Sequence, residues 1–315
     1  MKEDVVSIII PMFNESKSII YLIEEINKTF ENISQFQVEL VFVDDGSTDD
    51  TVDMLKSVEC KNYSSIIIKL SKNCGSHSAI RAGLTKAKGN FVILLTSDLQ
   101  DPPSLTIRLY GKLKNGFDIV WAQRKTTRSG LIEKLFSEFY SYLMRKMALP
   151  NYPKKGFDVV MFNRKVKDEL NKNIEANSSI YLQILGLGFK QSFIDYDKGE
   201  RKEGKSKWTL SRKLKLFVDS FTAFSFTPIR FVTYTGIGFS MLGFIWTFYI
   251  ISREIFLNDL SPGWPALVSI LMIGFGVTNI SLGIIAEYLW RTLDAARNRP
   301  VFIIEECIEL KQQSY

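Results

Sequence analysis

A mainly parallel α/β sheet with helices on both faces is the fold that the sequence predicts, on three observations. Between residues 5 and 125, short β-branched runs alternate strictly with helical patterns, the signature of strands joined by crossover helices. The runs are apolar throughout, as strands buried on both faces must be. Most of them end in a polar cluster, and in such sheets ligands bind beyond the carboxyl ends of the strands.

The elements follow in order. "VVSIII" is the first strand and ends in "PMFNES". Ile19, Leu22, Ile23, Ile26 and Phe30 then keep helical spacing. "VELVFV" runs into "DDGSTDD", where Gly46 permits a sharp turn and Ser47 to Asp50 are suited to capping the next helix. "SIIIKL", "FVILL" and "DIVWA" are the next strands; "SDLQD" follows the fourth and "QRK" the fifth. Residues 131–147 predict an amphipathic helix with Ile132, Leu135, Phe136, Phe139, Leu143 and Met147 on its apolar face. Residues 208–225 predict another, with Leu210, Leu214, Phe217, Phe221 and Phe224 opposite Arg212, Lys213 and Lys215. A basic amphipathic helix beside an uncharged segment reads as one lying in a membrane interface; the alternative is an ordinary packed helix.

Two uncharged segments follow, Phe231 to Ser252 and Leu260 to Ala286. About 20 apolar residues span a bilayer core, and soluble helices seldom run so far without a charged face. Lys213, Lys215 and Arg230 flank one side, and Arg291, Arg297 and Arg299 the other. The positive-inside rule then puts both flanks in the cytosol. The expected organisation is a cytosolic catalytic domain over 1–200, a basic loop and interfacial helix over 201–229, a transmembrane hairpin over 230–290 (about 231–252 and 263–286) and a cytosolic C-terminal tail over 291–315.

Bulk composition agrees. The 315 residues are 46% hydrophobic and 13% aromatic, enough for a sizeable core, and the net charge of +6 suits an anionic partner. Cys60, Cys74 and Cys307 lack metal-ligand spacing, and unpaired cysteines fit a reducing compartment. The first residues show no cleavage-site pattern of a signal peptide.

"PMFNES", "DDGSTDDT" and "SDLQDPP", in that order on successive strands, resemble the family 2 glycosyltransferases of the GT-A (Rossmann-like) fold. Within them the chain is similar to the polyprenyl-phosphate branch, which includes dolichol-phosphate mannose synthase and the bactoprenol-phosphate glucosyltransferases. The resemblance runs to about residue 300. It implies transfer of a sugar, with inversion, from a nucleotide-sugar such as UDP-glucose or another UDP-hexose to undecaprenyl phosphate, for cell-envelope or O-antigen glycan modification. It also implies a Mg²⁺ or Mn²⁺ ion, contact with membrane lipids, a place in the cytoplasmic membrane with the catalytic domain inside, and a homo-oligomer, a tetramer.

Carried over residue by residue, Pro11, Asn14, Glu15, Asp44 and Asp45 take the nucleotide-binding positions, and His77 and Arg81 in "NCGSHSAIRAGL" touch the donor or serve a local helix start. Asp98 and Gln100 take metal-holding positions, with Asp101 supplying charge directly or through water. The D-x-D position falls on Thr96-Ser97-Asp98, so the first acid is missing. Mg²⁺ is often held by one or two carboxylates plus substrate phosphates, which makes a looser metal site the expectation. Asp158 in "KKGFDVVMFNRKV" matches the acceptor-side acid. It is a candidate base, or a positioning group, since a phosphate monoester with a second pKa of about 6 hardly needs deprotonation.

Arg124, Lys125 and Arg128 after the fifth strand, and Arg201, Lys205 and Lys207 in "RKEGKSKW", are the candidate phosphate ligands. The latter group equally suits a solvated basic loop near anionic lipid.

Rival readings have specific signatures. A processive polysaccharide synthase needs a Q-x-x-R-W motif and more spans, and neither is found. A dehydrogenase needs G-x-G-x-x-G after the first strand, also absent. Nucleic-acid binding leaves the uncharged segments unexplained. A non-catalytic scaffold or flippase partner has Thr96 in its favour.

Overall fold

The computed structural model describes residues 3–58, 63–125, 131–153, 156–175, 178–199, 230–232, 234–238, 241–242, 245, 248–249, 252, 256, 263–297 and 299–310. Two compact units divide the chain: residues 1–217 with 300–315, and residues 218–299.

The first unit is built on one eight-stranded sheet. Its elements are β1 (Val5–Met12), α1 (Ile19–Phe30), β2 (Gln37–Asp44), α2 (Thr51–Ser57), β3 (Ser64–Leu70), α3 (Ser76–Lys86), β4 (Phe91–Leu94), α4 (Leu105–Lys114), β5 (Ile119–Arg124), α5 (Leu131–Met147), β6 (Val159–Asn163), α6 (Arg164–Lys172), α7 (Ile180–Gly186), β7 (Gln191–Tyr196) and β8 (Ile304–Leu310). The strand order is β7-β5-β6-β4-β1-β2-β3-β8. β1 pairs in parallel with β2 and β4, β2 with β3, and β5 with β7. β6 runs against β4 and β5, and β8 against β3. The carboxyl ends of β1 to β5 and β7 therefore share one rim, and the starts of β6 and β8 meet them there.

The alternation of strand and helix predicts this core, and the burial follows it. Val6, Ile8, Ile10 and Met12 of β1 enter one apolar layer with α1, α2 and α4, while Ile9 enters the other with α3, α6 and α7. The five α1 positions with helical spacing are the ones buried. Full burial of each such side chain contributes about 1.5–3 kcal/mol. Gly83 lets α3 lie close on β1, since a Cβ there would sit 2.6 Å from the Ile9 Cγ2.

Pro11 sits inside a central strand at no cost in hydrogen bonds. β4 ends with Leu94 opposite Ile9, so the missing N–H of Pro11 faces the open end of the sheet rather than a partner strand. The gap left between β1 and its shorter neighbour opens the rim.

The structure departs from the sequence reading in three places. β6 is antiparallel, so the sheet is mixed. Residues 304–310 lie within the segment expected to be a tail, yet they form the edge strand β8. On α5, Ser141 and Met144 are buried and Phe139 is 57% exposed. The helix turns Tyr140 toward Tyr152, whose ring lies 5.8 Å away, and so carries Phe139 outward.

In the second unit, α8 (Trp264–Arg297) holds the later uncharged segment. Phe231, Tyr234, Ile237, Met241, Ile245 and Phe248 of the earlier one are exposed. Among the described residues no helix is long and apolar enough to cross a membrane. The expected interfacial helix over 208–225 lies outside the described residues.

Candidate active site

Three loops at the rim brace one another. Asn14, held in the left-handed region at φ 52°, donates its N–H to the Ser47 hydroxyl at 2.9 Å and accepts the Thr48 N–H at 2.9 Å. The Glu15 N–H donates to the Thr51 hydroxyl at 3.0 Å, and the Ser18 hydroxyl donates to the Glu15 carboxylate at 3.1 Å. Asp44, fully buried, accepts the Ser47 N–H and closes the turn at Gly46. The expected cap of α2 differs in detail. Asp50 makes no side-chain cap bond, and Asp49 accepts the Thr51 N–H instead.

Asp45 reaches the third loop. Its two carboxylate oxygens accept the Cys74 N–H at 2.7 Å and the Gly75 N–H at 2.9 Å. Burial raises its pKa despite these donors, with the neighbouring Asp44 adding to the rise. Both oxygens are thus engaged by backbone, and Asp45 works as a strut of the rim. Arg81 is likewise committed: it is buried and donates to the Ser178 carbonyl, the Ser178 hydroxyl and the Gln183 side chain. Burial pulls its pKa down to about 10. His77 packs edge-on to Tyr181 at 5.8 Å, its Nδ1 buried and without a hydrogen-bond partner among the described residues. Burial first, and then the Arg81 charge, push its pKa down to about 4, so the ring is neutral near pH 7.

The loop after β4 holds the acids of "SDLQDPP". Leu99 adopts φ 56°, which bends the loop back on itself. Asp98 Oδ1 accepts the Gln100 N–H at 3.2 Å and lies 2.9 Å from the Thr96 hydroxyl oxygen. That same oxygen is 3.1 Å from Asp101 Oδ2. Asp101 is 2% exposed; its Oδ1 accepts the Tyr196 hydroxyl proton and sits 3.5 Å from Lys198 Nζ.

Lys198 carries the network across the rim. Its ammonium is 3.2 Å from Asp158 Oδ1, and Arg124 grips Asp158 with two parallel donors at 2.6 and 2.5 Å. Burial alone would raise the Asp158 pKa, but the Arg124 hydrogen bonds and the Lys198 charge outweigh it and hold the carboxyl below 3.8. Next to Lys198, the Gly199 N–H donates to the Gln100 carbonyl at 2.9 Å. The acid loop and the acceptor-side acid are therefore joined in one unbroken chain from Asp98 to Arg124.

Of the expected phosphate ligands, Arg124 is spent on Asp158 and Lys125 pairs with Asp197 at 3.2 Å. Arg128, Arg201, Lys205 and Lys207 lie outside the described residues. Sequence reasoning missed Tyr196 and Lys198. The available signal was their place at the carboxyl end of a strand, in "FIDYDKG".

The donor set fits a divalent cation. Among the described residues no group of three His, Cys, Asp or Glu could hold a metal, but Mg²⁺ needs only one or two carboxylates when substrate phosphates supply the rest. Asp98 fits as such a ligand, with Gln100 beside it. Asp101, engaged on both oxygens, fits as a support behind it.

The mixed α/β sheet carries its acids on one rim, and the sequence places the protein among the glycosyltransferases. The chain belongs to the family described as "Glycosyl transferase family 2", whose profile matches residues 7–174. It is 32% identical over 302 residues to "Uncharacterized glycosyltransferase YkcC" of Bacillus subtilis, covering 95% of this chain and 93% of that one. It is 29% identical to "Prophage bactoprenol glucosyl transferase homolog" of Escherichia coli, covering 95% and 98%. It is 28% identical to "Undecaprenyl-phosphate 4-deoxy-4-formamido-L-arabinose transferase" of Proteus mirabilis, covering 98% and 95%.

Proposed function

We propose that this glycosyltransferase is a membrane protein that moves a hexose, with inversion, from a UDP-sugar to undecaprenyl phosphate. The product is a polyprenyl-phosphate sugar and the by-product UDP, with the sugar destined for cell-envelope glycans. The relatives named for bactoprenol and undecaprenyl phosphate support this acceptor across nearly the full chain. The observation that carries the reading is the chain of contacts from Asp98 through Asp101 and Lys198 to Asp158, which puts a donor-side acid and an acceptor-side acid on one rigid rim.

One acceptor phosphate oxygen forms the new bond to the anomeric carbon while the bond from that carbon to the diphosphate breaks, and UDP takes the electron pair. A divalent cation, when bound, would neutralise the charge that develops on the leaving diphosphate; Asp98 and Gln100 are the residues suited to hold it. The acceptor arrives already ionised, so no proton has to be removed. Asp158, kept ionised by Arg124 and Lys198, orients those two cations at the rim. The loops braced by Asn14, Asp44, Asp45 and Glu15 give the nucleotide a preorganised wall, which lowers the cost of ordering on binding.

A membrane location is supported by the two uncharged segments and by α8 itself. Leu267, Ile270, Leu271, Phe275, Ile280 and Leu282 are large, apolar and exposed. The Thr278 and Ser281 hydroxyls donate back to the Gly274 and Val277 carbonyls of the same helix, so they need no water, as a lipid setting requires. The basic residues on the outer flanks favour a cytosolic catalytic unit.

The test uses membranes of an expressing strain, stripped of peripheral proteins with alkaline carbonate and given undecaprenyl phosphate, Mg²⁺ and a panel of UDP-hexoses. One donor should yield a lipid whose mass exceeds the acceptor's by a hexose residue, and the Asp98→Asn variant should make it at least about 100-fold more slowly. Activity that washes off with carbonate, or undiminished turnover in Asp98→Asn, would refute the proposal.

A further inference from the structure

The loop between β3 and α3, residues 71–75, is gripped from one side by the turn after β2. Asp45 accepts the Cys74 and Gly75 N–H groups, and the Lys72 and Asn73 backbone lies so close to Gly46 that a Cβ there would overlap it. These contacts hold the middle and the far end of the loop. The near end has no such support from β2, because β2 stops with Asp44 opposite Lys69. On the other flank β8 reaches further. Ile304 lies opposite Leu70, and the Ile303 carbonyl accepts the Ser71 N–H at 3.0 Å.

Two features of β8 set Ile303 there. The pairing runs from Glu306 opposite Lys69 to Ile304 opposite Leu70, so Glu305 is an extra, bulged residue. A bulge bends its strand and is common beside functional sites. The Glu305 carboxylate meets Lys69 Nζ at 3.0 Å. Second, Phe302 and Ile304 pack against the apolar layer that holds Ile68, Leu70 and Ala79. The Ile303 side chain itself is 55% exposed, so what this residue supplies is its backbone carbonyl.

We propose that Ile303 is a positioning residue for the nucleotide: through the Ser71 N–H it fixes the near end of the 71–75 loop, and so sets how firmly Asp45 holds the far end and how well the rim receives the donor. This rests on the nucleotide-sugar reading proposed above. The support comes from far along the chain. The rim acids all lie before residue 200, whereas this carbonyl follows α8, which ends at Arg297. A segment that reads as a polar tail thus shapes the donor site.

The experiment follows amide hydrogen exchange in the full-length protein in detergent, beside steady-state kinetics with the donor identified by the UDP-hexose panel. Two variants break the bond from its two sides. Ser71→Pro removes the N–H, and Leu70 before it already has the extended backbone that a residue preceding proline favours. A Gly-Gly insertion between Ile303 and Ile304 withdraws the carbonyl and leaves β8 from Ile304 onward. In both, exchange at Cys74 and Gly75, the amides that Asp45 holds, should quicken about tenfold. Exchange at Ile66 to Ile68, which pair with β8, should stay slow; a variant that loosens there has lost β8, and the other variant then decides. The donor KM should rise about fivefold or more with kcat within about twofold of wild type, the pattern of a lost binding contribution. A Gly-Gly insertion between Arg299 and Pro300 lengthens the link from α8 and should change neither quantity. Unchanged exchange at Cys74 and Gly75, an unchanged donor KM, or equal changes in the Arg299–Pro300 insertion would overturn the positioning role and leave the proposed function standing. If UDP does not slow exchange at Cys74 and Gly75 in wild type, the nucleotide reading of this rim falls, and the positioning role with it.

Discussion

Asp158 reads in the sequence as a base or a positioning group, and in the structure it is an anchored anion. Its carboxyl is held below 3.8 because the Arg124 and Lys198 contacts outweigh the penalty of burial. A carboxylate whose folded pKa is depressed stabilises the fold above its unfolded value, and that contribution is lost as pH falls through the folded pKa. The Arg124 pair is therefore intact at neutral pH, and Asp158 does not titrate there. His77, neutral at pH 7 with a pKa near 4, does not either. The group that does is the acceptor phosphate, with a second pKa of about 6. The rate at subsaturating acceptor should fall below about pH 6, and Asp158→Asn should slow the reaction without moving that limb. A pH–rate profile in which the limb vanishes with Asp158→Asn would make Asp158 the base after all.

The turn between β2 and α2 determines how the rim loops meet. Gly46 adopts φ +68°, and a Cβ on it would come 2.6 Å from the Lys72 carbonyl carbon and 2.7 Å from the Asn73 nitrogen. Neither neighbour is a flexible side chain. Gly46→Ala should destabilise the protein by about 1–3 kcal/mol through strain and overlap, and should weaken UDP binding because Asp45 and the Cys74 loop shift together. Chemical denaturation read by tryptophan fluorescence would check it; an unchanged midpoint would mean that the loops are not locked. The elements that sequence made legible were those with dense apolar signals. β1 to β5 and α1 are buried along whole faces, and their residues say so. β8 was not legible, because "IEECIEL" is an edge strand whose alternate residues face water, and such a pattern looks like a polar tail. β7 is half-buried along most of its length for the same reason. Acids on strand ends could be picked out singly, as Asp98 and Asp158 were. Their partners could not, since Tyr196 meets Asp101 across 95 residues and Lys198 meets Asp158 across 40, and only the folded sheet brings those strands side by side.

At the scale of the whole chain, the proposed function asks the two units to serve two kinds of solvent. Among the described residues, the sheet unit buries its apolar side chains, while large apolar residues of the second unit such as Phe231, Phe248, Phe275 and Ile280 are exposed. An acceptor with a phosphate head and a polyprenyl tail needs both. The central claim is that the acceptor is the phosphate of a lipid, and ³¹P nuclear magnetic resonance reads it directly. Purified protein in vesicles, given the cognate UDP-hexose and undecaprenyl phosphate, should convert the monoester signal into that of a sugar phosphodiester, while undecaprenol in place of the phosphate should give no product. A monoester signal that persists while UDP is released, or transfer to undecaprenol at a comparable rate, would contradict the account.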